Sequence, residues 1–244
     1  LYEIIMFIKE RKCKDLLYSF LFLFISIVIS ILPNTTQLWT TYEYGKYTTR
    51  GKSELSFDKN NKTTGLDKDY ATAWSYGISE TMTLLIPNYK GGESKYIYSE
   101  QGDEKYLNEV DNDFKQLVAR WNRYWGEQPF TSGPVYAGAI IMFLFLISLL
   151  YVKNNFKWWL FGATIVSIIL SWGRHFMGIT DFMLDYFPFY NKFRAVSMIL
   201  VIASLTIPVM AVMGLDELIK NKDLINKKIK FFYISYALTG GLCL

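Results

Sequence analysis

Cysteine and histidine are almost absent. The 244 residues hold two cysteines and one histidine. Cys13 and Cys243 lie beside or inside apolar segments and not in a polar loop, so no disulfide framework is expected. His175 alone cannot make a zinc site. HExxH, Walker-loop, GxSxG and paired-cysteine strings are all missing, which removes the usual signatures of zinc, nucleotide and serine hydrolases. The excess of positive charge is small, +4, and sits in clusters beside apolar runs. It forms no basic stripe, so no nucleic-acid partner is expected. No small-residue cleavage motif closes the first apolar segment, and no signal peptide is read there. Internal repeats and low-complexity tracts are lacking as well.

What is present is apolar. Half of the residues (51%) are hydrophobic, yet 20% are charged, a mixture that suits a membrane protein with a sizeable polar loop. The chain opens on Leu1 and closes inside an apolar run at Gly240-Gly241-Leu242-Cys243-Leu244, and the expectation is an internal piece of a longer protein. Residues 1–32 read as a basic, interfacial start and a first span, Leu16–Leu32, stopped by Pro33-Asn34. Residues 33–134 form a long polar region expected to be mainly helical. Residues 135–244 carry spans at 135–152, 158–172 and 195–215, with a last one, 231–244, cut short. Pro208 should kink the third of these. The fold expected is an all-α polytopic membrane protein with four complete spans and a helical extracytoplasmic insertion.

Within the polar region, Gln37–Thr49 extends the first span as a helix with Trp39, Tyr42 and Lys46 near one face. Asp69–Leu85 reads as one or two short helices, with Ser79 as N-cap and Pro87 as stop. Asp103–Trp121 shows the clearest amphipathic period: Tyr106, Val110, Phe114, Leu117 and Trp121 recur at steps of three and four and predict a buried face. The turns Arg50-Gly51-Lys52-Ser53 and Tyr89-Lys90-Gly91-Gly92 suit sugar or phosphate contact. The rings of Trp74-Ser75-Tyr76 and of Trp121–Trp125 suit either sugar stacking or core packing. The sequons at Asn34 and Asn61 are short enough to be chance.

Basic residues set an orientation. Lys9, Arg11, Lys12 and Lys14 precede the first span, Lys153 and Lys157 separate the second and third, and Lys220, Lys222, Lys227, Lys228 and Lys230 follow the fourth. Alternation places all of these in the cytoplasm. The polar region and the link 173–194 then lie outside.

That link concentrates the candidate site. Arg174, Lys192 and Arg194 stand on a face where cations are disfavoured, and they suit phosphate recognition at headgroup depth. His175 and Tyr190 lie among them. Asp181 and Asp185, four residues apart, share a helix face and could hold a divalent cation or pair with the three cations. The other reading of the whole link is a snorkelling, aromatic-belted turn.

Four strings, LWTTYEYGKYTTRGKSEL (38–55), AWSYGISETMTLLIPNYKGG (73–92), YWGEQPFTSGPVYAGA (124–139) and LSWGRHFMGITDFMLDYFPFYNKFRAVSMILV (170–201), resemble the YfhO-like bacterial membrane proteins, in their large Bacteroidetes form. That family is similar to the GT-C glycosyltransferases. The resemblance implies a cell-envelope enzyme of the inner membrane that moves a sugar from a polyprenyl-phosphate donor to a glycan or lipid acceptor outside. Its partners would be membrane lipid, the lipid-linked donor and the acceptor. No residue here matches the family's acidic motif, so the resemblance assigns no catalytic residue. It places Arg174, His175, Asp181, Asp185, Tyr190, Lys192 and Arg194 on the donor side. A flippase of lipid-linked sugars and a non-catalytic membrane scaffold are the alternatives.

Overall fold

Helices and one small sheet make up the described residues. A computed structural model describes residues 13–51, 65–98, 107–221 and 229–243. Several expectations fall outside these residues: Lys9, Arg11 and Lys12, the Lys52-Ser53 half of the first glycine turn, the Asn61 sequon, Asp103 and Tyr106, and Lys222, Lys227 and Lys228. Two units divide the chain, residues 1–68 with 188–193 and residues 69–187 with 194–244.

In the first unit, helix α1 (Cys13–Ile31) passes through a 3-10 turn, Leu32–Asn34, into α2 (Thr35–Gly45). The stop expected at Pro33 does not occur. Pro33 lies inside the 3-10 turn, where the local change of hydrogen-bond pattern takes up its missing N–H, and the helix resumes. The Thr35 hydroxyl donates back to Leu32 O at 2.9 Å and helps to bridge the junction. Lys14–Gly45 is thus one apolar helix of 32 residues, long enough to cross a membrane. Lys46 Nζ lies 5.1 Å from the Tyr42 ring centre, one turn away, as the helical extension predicts. Further along, Arg50 Nε donates to Lys192 O (3.0 Å) and Lys192 Nζ to Arg50 O (2.8 Å), while Leu66 N–H donates to Asn191 O (2.9 Å).

The second unit is built on three apolar helices: α4 (Ala139–Tyr151), α5 (Phe156–Ser171) and α7 (Leu200–Lys220). Between α5 and α7 comes α6 (Met177–Tyr186), and α8 (Ile229–Cys243) packs on α4. The short α3 (Asn112–Ala119) precedes them in the chain. Leu200, Ala203, Ile207 and Met210 of α7 meet Phe145 of α4 in the core. A Cβ on Gly214 would meet Leu144 O at 2.6 Å, so α7 and α4 approach at backbone distance there. Thr164 and Thr206 share a hydrogen bond of 2.7 Å between α5 and α7, and Ser167 Oγ donates to Ile199 O at 2.6 Å. α7 runs through Pro208 as one helix.

Among the described residues, fewer spans result than expected. Val196–Lys220 is long and apolar enough to cross a membrane, as is Lys14–Gly45. A third span arises only if α5 and the bent segment Gly173–Tyr186 count together. The 135–152 span shrinks to 13 helical residues, about 20 Å against a hydrocarbon core of about 30 Å. Its first residues are not helical, and there Ala137 and Gly138 N–H both donate to Leu84 O at 3.1 Å.

The polar region is not purely helical either. Gly91–Tyr96 (β1) pairs antiparallel with Asn122–Tyr124 (β2), Gly91 opposite Tyr124 and Tyr96 opposite Asn122. This pairing overturns the long amphipathic helix. Ile97 N–H donates to Trp121 O (2.9 Å) and Tyr98 N–H to Ala119 O (3.2 Å), so the chain is held for strand pairing and α3 ends at Ala119. Its apolar side is open, with Phe114, Leu117 and Trp121 at 57%, 55% and 55% exposure. Ser79 does not cap a helix. It is the first residue of a 3-10 turn, Ser79–Leu84, preceded by Ile78.

Lys157, a topological charge by the sequence pattern, is buried. Its Nζ donates to Leu149 O and Val152 O, both at 2.5 Å, and closes the C-terminus of α4. Replacing Lys157 with Met should cost about 1–3 kcal/mol, because buried carbonyls lose their donor. Replacing the exposed Lys153 should cost less than about 0.5 kcal/mol. Thermal unfolding of the two variants in one detergent is the check. Phe114→Asp should likewise cost under about 0.5 kcal/mol by the same measurement.

Candidate functional site

The site begins where α5 ends. The end of a helix leaves carbonyls without intrahelical partners. Here the Ser171 carbonyl accepts Tyr76 N–H at 2.8 Å, and the Ser171 hydroxyl donates to Ile168 O at 2.6 Å. Gly173 then turns the chain with φ +44, a conformation that suits glycine. A Cβ there would also collide with the Ser75 hydroxyl. Beyond it the chain leaves at 106° to α5. Ser75 Oγ accepts Arg174 N–H (2.9 Å) and donates to Thr72 O (2.6 Å). Trp172 Nε1 donates to Thr81 Oγ1 (2.9 Å), and Thr180 Oγ1 to Gly173 O (2.8 Å). The bend is therefore laced to residues 72–81.

Two of the sequence-nominated cations come together on that segment. Arg174 Nε and Nη2 donate to the carbonyls of Thr72 and Ala73, at 3.2 and 2.5 Å. Arg194 Nη1 donates to Tyr70 Oη at 2.8 Å, and its guanidinium lies 5.0 Å from the Trp74 ring centre and 5.8 Å from that of Tyr70. Both arginines are exposed. These bonds use two N–H donors of Arg174 and one of Arg194, out of five on each guanidinium. Ala195, next to Arg194, holds φ +67, a strained value for a residue with a side chain.

The other nominated residues are distributed. His175 Nε2 lies 3.0 Å from Glu127 Oε2, an ion-pair distance without the alignment of a hydrogen bond. Asp181 and Asp185 stand one turn apart on α6, the first half-buried and the second exposed. No group of three or more acidic, histidine or cysteine side chains fit to hold a metal occurs among the described residues. Lys192 and Tyr190 belong to the first unit. Burial raises the Tyr190 phenol above its ordinary pKa.

A second polar centre was not evident in the sequence. Glu80, 2% exposed, accepts Gly77 N–H on Oε2 and Tyr124 O–H on Oε1, both at 2.6 Å. Gln128 N–H donates to Tyr124 Oη (2.9 Å), and Ser197 Oγ donates to Gln128 Oε1 (3.2 Å). Thr83 Oγ1 donates to Glu80 O (2.6 Å) and is hydrogen-bonded to Tyr76 Oη. Tyr76, Glu80, Thr83, Tyr124, Gln128 and Ser197 line a cavity of about 190 Å³ that Lys90 also borders. Glu80 Oε2 and Glu127 Oε1 each lie 3.0 Å from the point a Cβ on residue 77 would occupy. The acid that His175 faces and the acid of the cavity thus flank the same glycine. The turn at Lys90-Gly91 borders this cavity instead of standing in an open loop. Of the nominated rings, Tyr76 is buried while Trp74 packs edge-on against Phe130 at 5.1 Å.

Comparison with known proteins adds nothing to these observations: no family model, curated protein or solved structure matches the chain.

The phenols of the cavity make its stability pH-dependent. Burial pushes Tyr76 up from 10.0 to about 12, and burial together with donation to Glu80 raises Tyr124. A phenol whose folded pKa is raised contributes stability that is complete below its unfolded pKa and lost as pH climbs toward the folded one. Stability should be flat up to pH 10.0 as far as these groups act, and should fall between 10.0 and about 12. Tyr76→Phe should flatten that alkaline slope in denaturation followed by tryptophan fluorescence.

Proposed function

We propose that the protein works in a bacterial cell-envelope membrane, where it transfers a sugar from a polyprenyl-phosphate donor to an acceptor on the outer side. Two helices long and apolar enough to cross a membrane, with a third in the bent pair, support a membrane setting. The observation that carries the reading is the convergence of Arg174 and Arg194 on Tyr70–Trp74 at the 106° bend. A bend between an apolar helix and an amphipathic one is a place where chain can leave hydrocarbon for the interface. A lipid phosphate presents its charge at that depth. Two guanidiniums with donors to spare match a phosphate in charge and in geometry. The transfer reaction in this reading comes only from the resemblance of the strings 38–55, 73–92, 124–139 and 170–201 to YfhO-like proteins.

The same bonds favour a second reading, in which the arginines only staple the bend to residues 70–74. Sugar transfer in membrane vesicles carrying matched amounts of protein separates the two. Under the proposed function, Arg174→Ala and Arg194→Ala each lower transfer at limiting donor about tenfold to a hundredfold, the worth of one charge-assisted contact. The loss is in donor KM more than in kcat. Lysine at either position recovers only part, because the fork is lost. Parent-like transfer by both alanine variants would leave the stapling role alone standing.

A further inference from the structure

The Glu80 cavity has its own chemistry, and it differs from that of the arginine bend. We propose that it binds a single-ring, uncharged, polyhydroxylated ligand, such as a monosaccharide or a cyclitol. Its volume of about 190 Å³ is below the roughly 300–1,000 Å³ of pockets for drug-sized ligands, so one ring is the scale that fits.

Charge then narrows the class. The wall carries the Glu80 carboxylate, Lys90 is one of the residues that border it, and no ion pair joins the two among the described residues. An anion meets the buried carboxylate, and a cation meets the lysine. A neutral ligand avoids both penalties and uses both groups. Each oxygen of Glu80 accepts one bond from the protein, and a carboxylate oxygen accepts about two. By that count the carboxylate has acceptor capacity beyond its two protein bonds, and Lys90 borders the same cavity.

The remaining lining mixes the polar residues Gln128, Thr131 and Ser197 with the apolar Val135, Met198 and Leu200, the two kinds of group that a hydroxylated ring needs. Because Gly77 and Tyr124 hold the carboxylate from two directions at 2.6 Å, its orientation is fixed before any ligand arrives. This proposal does not rest on the donor-phosphate reading: a phosphate is the kind of group this cavity should reject.

The test is a titration of the whole chain, purified in a detergent without a sugar headgroup, followed by calorimetry and tryptophan fluorescence. Glucose, galactose, mannose and myo-inositol are the probes, and glucose 6-phosphate and glucosamine are the charged counterparts. Saturable binding of at least one neutral probe is expected, with its charged counterpart about tenfold weaker or worse. Hexose binding without inositol binding would identify a monosaccharide site, and the reverse a cyclitol site. Glu80→Gln and Ser197→Phe, the second filling the cavity from its edge, should abolish binding. Lys90→Ala should weaken it about tenfold. Among the described residues its ammonium contacts only the Tyr89 ring, at 5.9 Å, so the fold does not depend on it. Failure of every neutral probe to saturate, equal binding of the phosphorylated sugar, or unchanged binding by Lys90→Ala and Ser197→Phe would overturn the assignment, whatever the arginine variants do to sugar transfer.

Discussion

An apolar helix that ends inside the protein must find donors for its last carbonyls, and in the second unit that requirement organises much of the surrounding chain. α5 stops at Ser171, and the N–H of Tyr76 comes in to satisfy the Ser171 carbonyl at 2.8 Å. An unsatisfied carbonyl in such surroundings costs about 1–3 kcal/mol, so the segment around Tyr76 is held firmly. Ser75 is fixed in turn, with its hydroxyl bonded to Arg174 N–H and Thr72 O. Trp172 is tied to Thr81. One helix end thus anchors the stretch 72–81, which has little regular structure of its own.

Both polar centres hang on that stretch from opposite ends. Its beginning presents the carbonyls of Thr72 and Ala73 to Arg174, and the Trp74 face to Arg194. Its end places Tyr76 and Glu80 against Tyr124 and the small sheet. The separation is electrostatically sensible. Arginine donors stay exposed where an anion can reach them, while the carboxylate is buried where only neutral partners approach it without penalty.

What the sequence made legible was the hydrophobic patterning. All but the first residue of the uncharged run 195–215 lies in one helix from Val196 to Lys220, and the helical extension past the first span was visible in the spacing of Tyr42 and Lys46. Failures came where long-range pairing overrode local pattern. The amphipathic period of 103–121 predicted a buried face, but residues 119 and 121 give their carbonyls to Tyr98 and Ile97, and the helix closes early with Phe114 exposed. Pro33 read as a terminator because local rules do not know that a 3-10 turn will take it in. At the site, basic residues in an apolar context could be nominated from composition alone, and two of the three do share a surface in one unit. Glu80 could not be found in this way. A single acid in SYGISETMTLL looks like one more residue in the first turn of a short helix until Tyr124, 44 positions on, donates to it.

Arg174 and Arg194 make bonds to their own chain, and this bears on the proposed donor site more than it first suggests. A flexible cation on a surface gives up rotamer freedom when it grips a phosphate, at a cost of about 0.5–1.5 kcal/mol for each long side chain. Two carbonyls already fix the plane of the Arg174 guanidinium, and the Trp74 and Tyr70 rings lie against that of Arg194. Much of that entropy is therefore already lost in folding. Stapling and binding are compatible on this view, since a guanidinium has more donors than two carbonyls use. The staple then becomes a condition of affinity, because an arginine released from Thr72 and Ala73 would keep its charge and lose its preset fork. In the proposed function, the bend at Gly173 would act on the donor through the geometry it imposes on Arg174.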